Sequence, residues 1–416
     1  MKNPFVTSGY EGPEYFCDRE EETAKLIRQL TNGNNVVLMS PRRMGKTGLL
    51  YHAFQQEEIR TEYHTFIIDI YSTKNMNDMV AEMGKVILNT LQSKSKKAFD
   101  KFVRIATSLR PGVSFDPLGN PTWNVEVGNI QNADNTLDQI FDYIKQSDLP
   151  CLIAIDEFQQ IAHYPEKNVE VGNIQNADNT LDQIFDYIKQ SDQSCLIAID
   201  EFQQIAHYPE KNVEAILRTY IQHCSNANFV FSGSERHLLA EMFSSPSRPF
   251  YASTSTLNLE HINPLKYDEF AKTHFEKSGK HLTDGVVEAI CERFEGVTWY
   301  VQKVLNYLFA DTASGETCGM DMIDVAVNEI VKDNGTIYAD LLYQLTAKQK
   351  ELLVAINKEG KVKAITGSKF IKKHHLTAAS SVQTTVRSLM DKQLVTSHLG
   401  IYEVYDKFFS IWLSRL

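Results

Sequence analysis

The segment that most constrains the fold of this chain runs from Val36 to Thr47, where a short apolar strand leads directly into a Gly-Lys-Thr turn. The backbone must curl there so that several N–H groups face one point. A helix must then begin, and its free N–H groups and dipole favour a bound polyphosphate. This layout is typical of a phosphate-binding loop with the pattern G-x-x-x-x-G-K-[ST]. Ser40 departs from that pattern, because glycine adopts the loop conformation more freely than serine.

The loop predicts which residues hold the ligand. Lys46 would reach the β- and γ-phosphates, and the hydroxyl of Thr47 would hold Mg²⁺. The candidate nucleotide-binding residues are the whole loop and the start of the following helix: Ser40, Pro41, Arg42, Arg43, Met44, Gly45, Lys46, Thr47 and Gly48.

The middle of the chain contains a direct repeat, in which residues 124–167 recur as residues 168–211. The copies differ only where Leu149 and Pro150 become Gln193 and Ser194. Repeat architectures diverge and need at least three units. The pair therefore indicates a recent tandem duplication or an error in the recorded sequence. Each copy predicts a helix, which opens in the first copy with a capping box at 136–139, followed by a buried strand.

Both copies of this strand end in an acidic pair, Asp156-Glu157 in the first copy and Asp200-Glu201 in the second. An apolar strand that ends in Asp-Glu, downstream of a phosphate-binding loop, is typical of the Walker B element. The aspartate would orient the water shell of Mg²⁺, and the glutamate would polarise the water that attacks the γ-phosphate. Asp200 and Asp156 are thus candidate metal residues, and Glu201 and Glu157 are candidate catalytic residues.

Only one copy is expected to occupy the position beside the phosphate-loop strand. The extra 44 residues should then bulge out as an insertion or pair with another chain. The second copy is slightly favoured, because it leads by a short connection into a helix at 213–221 and a strand at 229–232. The first copy follows the upstream chain equally well, so the sequence leaves the choice open.

The alternation of strands and helices in residues 1–262 predicts an α/β fold with a doubly wound parallel sheet. A further strand is expected at 65–70, helices at 17–30 with Asp18 as N-cap and at about 76–94, and a loop at 108–123. Ser232 is the last residue of the strand at 229–232 and Ser234 follows it, at a position where a polar side chain could sense the γ-phosphate.

Two smaller domains are predicted after the sheet. Residues 263–345 predict a helical lid, and residues 346–416 predict three helices and a hairpin, an arrangement typical of a winged helix-turn-helix. A local basic cluster there would contact DNA phosphates. The predicted recognition helix is only weakly basic, and winged helices in ATPases often bind proteins instead. The cluster consists of Lys361, Lys363, Lys369, Lys372 and Lys373.

The composition restricts the class of partner. A formal net charge of −11 argues against a protein that coats nucleic acid with its whole surface, although it allows one local basic module. The sequence contains no apolar stretch near 18 residues and no signal-peptide pattern, so we expect a cytoplasmic protein without membrane contact. Its six cysteines include no C-x-x-C pair, which favours free thiols.

Five segments occur in one order along the chain and carry a family resemblance. They are Tyr15-Phe-Cys-Asp-Arg-Glu20, Ser40–Thr47, the Ile-Asp-Glu-Phe-Gln-Gln runs, Phe231–Ser234, and Tyr405-Asp-Lys-Phe-Phe-Ser-Ile-Trp412. Together they resemble the archaeal-type ATPase family of AAA+/STAND P-loop NTPases, which is also widespread in bacteria such as Bacteroides relatives. The resemblance covers nearly the whole chain except the extra copy.

The resemblance implies ATP and Mg²⁺ as cofactors, slow hydrolysis, a helical lid and a C-terminal winged helix. It implies that Ser232 acts as a sensor and that Phe16 and Arg19 wrap the adenine. Ser40 and the doubled acidic stretch depart from the family pattern.

Three functions compete on this reading. The first is an ATPase switch, in which ATP closes the lid and the winged helix transmits the change. The second is a nucleotide-binding protein with negligible hydrolysis that binds a protein partner or DNA through its C-terminal domain. A P-loop kinase is the third, and the lid and winged helix disfavour it. An arginine finger from a second copy, Arg248 or Arg236, would require oligomers.

Overall fold

An all-parallel sheet of six strands organises residues Ser8–Ile262 in the computed structural model of the chain. The structure describes residues 2–91, 114–115, 121–122, 140–141, 144, 147, 149–158, 160, 185–186, 188–189, 194–208 and 212–416. The strands of this unit are β1 (Val36–Met39), β2 (His64–Asp69), β3 (Ser114–Phe115), β4 (Pro121–Thr122), β5 (Cys151–Asp156), β6 (Cys195–Ile199), β7 (Ala227–Gly233) and β8 (Ser255–Asn258).

The short strands β3 and β4 pair with each other, within the region predicted as a loop, and the other six form the sheet in the order β2-β5-β6-β7-β1-β8. All four residues of β1 and all five of β6 are buried, as expected for strands covered on both faces. The helices described in this unit are α1 (Glu20–Thr31), α2 (Lys46–Phe54), α3 (Glu57–Arg60), α4 (Met76–Thr90), α5 (Val213–His223) and α6 (Arg236–Ser244).

The two copies of the repeat place their strands side by side in this sheet. β5 pairs with β6 in parallel and in register from Cys151 opposite Cys195 to Ile155 opposite Ile199. The prediction that the extra copy would bulge out or pair with another chain is therefore wrong. A strand that is apolar on both faces can be inserted inside a parallel sheet, because it buries both faces and pairs its backbone with both neighbours.

The position of the Walker B strand also differs from the prediction. β1 pairs with β7 and β8, and β6 lies beyond β7. The acidic pairs therefore approach the phosphate-binding loop from two or three strands away, across the carboxyl ends of the parallel strands.

The boundaries of two helices depart from the predicted ones. α1 begins at Glu20, because Asp18 and Arg19 both have positive φ angles, of 59° and 81°. Asp18 is therefore not the N-cap. α4 ends at Thr90. The predicted capping box at 136–139 lies outside the described residues.

The second unit consists of Met1–Thr7 together with Asn263–Leu416. The side chain of Phe5 is fully buried and contacts the rings of Phe275 and Phe309, so the N-terminal segment belongs to this core. The predicted division of this part of the chain at 345/346 stays a prediction. Its helices are α7 (Pro264–Lys277), α8 (Val286–Arg293), α9 (Thr298–Asp311), α10 (Asp321–Asp333), α11 (Gly335–Tyr343), α12 (Ala347–Glu359), α13 (Ser368–Lys373), α14 (Ala379–Asp391) and α15 (Lys407–Leu413).

Four short strands complete the second unit: β9 (His281–Leu282), β10 (Thr317–Cys318), β11 (Val395–His398) and β12 (Ile401–Val404). β11 and β12 form the predicted antiparallel wing after α14. α12 begins with a capping box between Thr346 and Gln349, which satisfies backbone N–H groups at its first turn. Within the parts of the chain that the structure describes, no helix has the length and apolar character needed to cross a membrane.

Candidate functional site

The segment Ser40–Thr47 connects the carboxyl end of β1 to the first turn of α2. Gly45 is the N-cap of α2 and has a φ of 89°, a left-handed conformation that glycine adopts without a steric penalty. Ser40 is fully buried and its hydroxyl donates a hydrogen bond to the carbonyl of Pro41 at 2.9 Å. The backbone of Ser40 lies outside the left-handed region, so serine replaces the pattern's glycine here without strain.

The side chain of Lys46 contacts the acidic pair of the second copy. Its Nζ lies 2.7 Å from Oε1 of Glu201 and 3.1 Å from Oδ1 of Asp200, and only 7% of its side chain is exposed. The Thr47 hydroxyl donates to the other carboxylate oxygen of Asp200 at 3.1 Å. The structure thus brings together the predicted phosphate lysine, the predicted metal hydroxyl and one predicted Walker B pair.

The charges of these groups depend on one another. Burial by itself would lower the pKa of Lys46, but the adjacent charges of Asp200 and Glu201 outweigh it and hold the pKa above its ordinary value. Burial would likewise raise the pKa of Asp200 and Glu201, and Lys46 reverses that effect, so both carboxyl groups have lowered pKa values. The cluster therefore contains one buried positive charge, on Lys46, and two negative charges, on Asp200 and Glu201.

Two serines at the end of β7 complete this network. The hydroxyl of Ser232 donates to Oδ1 of Asp200 at 2.5 Å, and the hydroxyl of Ser234 donates to Oε2 of Glu201 at 2.7 Å. Arg42 donates from Nε to the hydroxyl of Ser234 at 3.1 Å, which links the phosphate-binding loop to β7.

Gln203 belongs to the same network, although it was not predicted from the sequence. Its Nε2 donates to Oε2 of Glu201 at 2.6 Å, and its side chain is fully buried. The available signal was the glutamine that follows each Asp-Glu-Phe triplet, at the same spacing in both copies.

The acidic pair of the first copy lies at the end of the neighbouring strand. Asp156 is opposite Asp69 of β2 in the sheet register, and its carboxylate accepts a hydrogen bond from the backbone N–H of Glu157 at 3.0 Å. Burial raises the pKa of Asp156 to about 7, and the nearby charges of Asp200, Glu157 and Asp69 add to this effect. The contacts to Lys46 and Thr47 described above come from the second copy.

The segment that precedes α1 lies against α2. The ring of Phe16 stacks on His52 at a centroid distance of 4.3 Å, and a Cβ at Gly48 would lie 3.3 Å from Phe16. Arg19 is 2% exposed and its Nη1 contacts Glu22 at 2.8 Å. Its Nη2 has no hydrogen-bond partner among the described residues. Phe16 is thus next to the predicted phosphate-binding helix.

The donor atoms near Lys46 fit Mg²⁺. Thr47 Oγ1 and Asp200 Oδ2 are hard oxygen atoms 3.1 Å apart. The described residues contain no group of three His, Cys, Asp or Glu side chains arranged to hold a metal. This sparse donor set suits Mg²⁺, which is commonly bound by one or two protein oxygens together with substrate phosphates.

The two arginines proposed as fingers differ in their contacts. Arg248 contacts Glu214 and, at 3.6 Å, Glu241. Arg236 contacts the more exposed Glu260 at 3.5 Å. An arginine finger from either residue stays a prediction.

Comparison with known proteins identifies the fold. Residues 336–415 match a family described as a probable winged helix domain. No curated protein matches the chain in sequence. Among solved structures, the Walker-type ATPase PABY2304 of Pyrococcus abyssi is similar to this chain with a TM-score of 0.57 and 15% identity over 99% of both chains.

Two further structures are more distant. The Aeropyrum pernix ORC2 protein in its ADPNP–ADP complexes has a TM-score of 0.49 and 11% identity, over 100% of this chain and 97% of that chain. The Aeropyrum pernix ORC1 protein in complex with DNA has a TM-score of 0.47 and 11% identity, over 100% and 96%.

The predicted fold class is confirmed by the strand order, by the winged-helix match and by the similarity to the Pyrococcus abyssi protein. The chain has a P-loop NTPase fold, built on a doubly wound parallel sheet, and it ends in a winged helix domain.

Proposed function

We propose that the protein binds ATP at the Ser40–Thr47 loop and hydrolyses it, and that this cycle acts as a switch. One observation carries the proposal: Lys46 and Thr47 meet Asp200 and Glu201 in one buried cluster. A lysine held between two carboxylates has its charge balanced without a ligand. The phosphates of ATP would take over that balance and release the carboxylates for catalysis.

In this reaction Glu201 would accept a proton from water while the water oxygen forms a bond to the γ-phosphorus. The bond from the γ-phosphorus to the bridging oxygen then breaks, and its electron pair stays on ADP. Lys46 would stabilise the charge on the phosphate oxygens, and Ser232 would keep Asp200 oriented. Mg²⁺ bound near Thr47 and Asp200 would supply positive charge to the β- and γ-phosphates.

The proposal is tested by measuring phosphate release from Mg·ATP for the wild type and Lys46→Ala. Loss of the lysine should abolish turnover. Because Lys46→Ala also leaves two buried carboxylates unpaired, circular dichroism must show that the variant folds. Thr47→Ala is the second variant, since it removes a hydroxyl and leaves the ion pairs intact. Full activity in both variants would refute the proposal, and ATP binding without turnover in the wild type would favour the non-hydrolysing alternative.

A second candidate function is nucleic-acid binding by residues 346–416, the predicted winged helix-turn-helix. Residues 346–416 contain twelve lysine and arginine residues against five aspartate and glutamate residues, in a chain whose total charge is −11. All five lysines of the predicted basic cluster are exposed; Lys361 also contacts Glu295, and Lys373 also contacts Glu359. Exposed lysines on a basic module suit contacts to a phosphate backbone.

A further inference from the structure

Glu201 is held by two separate sets of contacts, one on each carboxylate oxygen. Oε1 contacts the ammonium of Lys46 at 2.7 Å. Oε2 accepts hydrogen bonds from Nε2 of Gln203 at 2.6 Å and from the hydroxyl of Ser234 at 2.7 Å, with the backbone N–H of Ser234 at 3.4 Å. A ligand that removes Lys46 would therefore free Oε1 and leave Oε2 in place.

The environment of the Gln203 side chain does not favour the stability of the folded state. It is fully buried, and its Oε1 has no hydrogen-bond partner among the described residues. A buried polar atom without a partner destabilises the folded state, so an apolar side chain of the same length would suit this position better. The amide uses its other end, Nε2, to contact Glu201.

Gly233, the last residue of β7, leaves space for the side-chain amide of Gln203. A Cβ on Gly233 would lie 1.8 Å from Oε1 of Gln203, 2.9 Å from its Cδ and 2.9 Å from Cδ1 of Leu239. Any residue other than glycine at position 233 would displace the amide of Gln203 from its present place. The glycine is thus required by a close approach and not by its backbone angle.

From these contacts we propose that Gln203 is a positioning residue for hydrolysis. Together with Ser234 it fixes Oε2 of Glu201, so that Oε1 is the atom that accepts the proton from water once phosphate has taken Lys46. The proposal rests on the ATPase function proposed above. It adds that the catalytic orientation of Glu201 depends on a fully buried side-chain amide.

The test compares Gln203→Met with Gln159→Met. Methionine keeps the length of glutamine and removes the amide, and Gln159 is the corresponding residue of the first copy. We expect Gln203→Met to lower kcat by at least about tenfold, the effect typical of residues that orient metal ligands through a hydrogen bond. Affinity for a non-hydrolysable ATP analogue should be unchanged. Gln159→Met should leave kcat and the affinity for the analogue unchanged.

A residue with a purely structural role would lower the unfolding midpoint and leave kcat per folded molecule unchanged, and that result would overturn the proposal. Gly233→Ala gives a second line of evidence, because its Cβ displaces the amide while Gln203 itself is retained. It should reproduce the loss of kcat. Wild-type kcat in both variants would also overturn the proposal.

A measurement that does not need turnover separates this proposal from the ATPase function. In protein labelled with ¹⁵N-glutamine, the side-chain amide of Gln203 is the resonance that Gln203→Met removes. Glu201→Ala should shift this resonance strongly, because a hydrogen bond to a carboxylate deshields the donor proton. If the wild type does not hydrolyse ATP, the ATPase function fails. The amide shift then supports the contact, and an unchanged resonance refutes it.

Discussion

Cys151 and Cys195 lie opposite each other on adjacent parallel strands, and they are the same residue of the two copies of the repeat. Their strands stay in register from this pair to Ile155 and Ile199. β2 in turn pairs with β5 from His64 opposite Cys151 to Asp69 opposite Asp156. Since β5 and β6 have the same sequence, β2 could pair with either strand through the same contacts.

This register predicts that one copy can be deleted. Deletion of 168–211 or of 124–167 should leave a five-stranded sheet in which β2 pairs with the remaining copy of the strand. The two products differ only at the positions of Leu149 and Pro150, so each is the control for the other. Both should fold and hydrolyse ATP, as measured by circular dichroism and phosphate release. A product that folds without activity would show that the sixth strand is needed for the site.

The contacts of Lys46 predict that Glu201, and not Glu157, acts in catalysis in the full-length protein. Glu201→Gln should lower kcat by about a hundredfold or more, the contribution typical of a general base. Glu157→Gln is the matched control, because it makes the same change in the same sequence context, and it should have wild-type kcat. Phosphate release under saturating Mg·ATP measures both. The reverse result would place the first copy in the site and contradict the arrangement described here.

The sequence predicted local structure well, because each motif depends on residues close together in the chain. The phosphate-binding loop depends on Gly45 and Lys46, and the wing depends on two short strands joined by the turn at 398–400. The choice between Asp156 and Asp200 could not be made in this way, because the two segments are identical and only the strand order distinguishes them. The role of Gln203 could not be predicted for a similar reason: it depends on Gly233, which is thirty residues away at the end of β7.

The raised pKa of Asp156 predicts a pH-dependent penalty on stability. Its pKa increases from an ordinary 3.8 to about 7, so between these values the folded state binds more protons than the unfolded state. Stability therefore falls as the pH rises through this window, and the full penalty applies above about 7. Asp156→Asn removes the charge and should raise the unfolding midpoint at pH 8, by roughly 2 °C or more.

The same substitution gives its own control at lower pH. At pH 5 the wild-type carboxyl is mostly protonated in the folded state, so the gain from Asp156→Asn should shrink. Thermal unfolding followed at both pH values measures the difference. A gain that is equal at the two pH values would mean that the charge of Asp156 does not cause the penalty.

The left-handed backbone of Gly45 predicts a different kind of defect. The Cβ added by Gly45→Ala would have no atom within 4 Å. The φ of 89° at this position should nevertheless destabilise the variant by about 1–2 kcal/mol. Relief of that strain would close the loop away from phosphate, so ATP binding should be lost as well. Gly9 is a suitable control, since it also has a positive φ, of 72°, with open space around it. Gly9→Ala should lose stability and retain ATP binding, as measured by calorimetry.

The exposed lysines of residues 346–416 predict a salt-dependent contact with nucleic acid. Replacing Lys363, Lys369 and Lys372 by glutamate should weaken binding to duplex DNA, as measured by fluorescence anisotropy. Each lost phosphate contact should reduce the slope of log K against log salt by about 1, because fewer counterions are released. Reversal of three other exposed lysines, Lys266, Lys277 and Lys332, makes the same change in net charge and should leave the slope unaltered. Equal weakening by both sets would mean that total charge, and not this surface, determines binding. The absence of any binding by the wild type would leave a protein partner as the ligand of the winged helix.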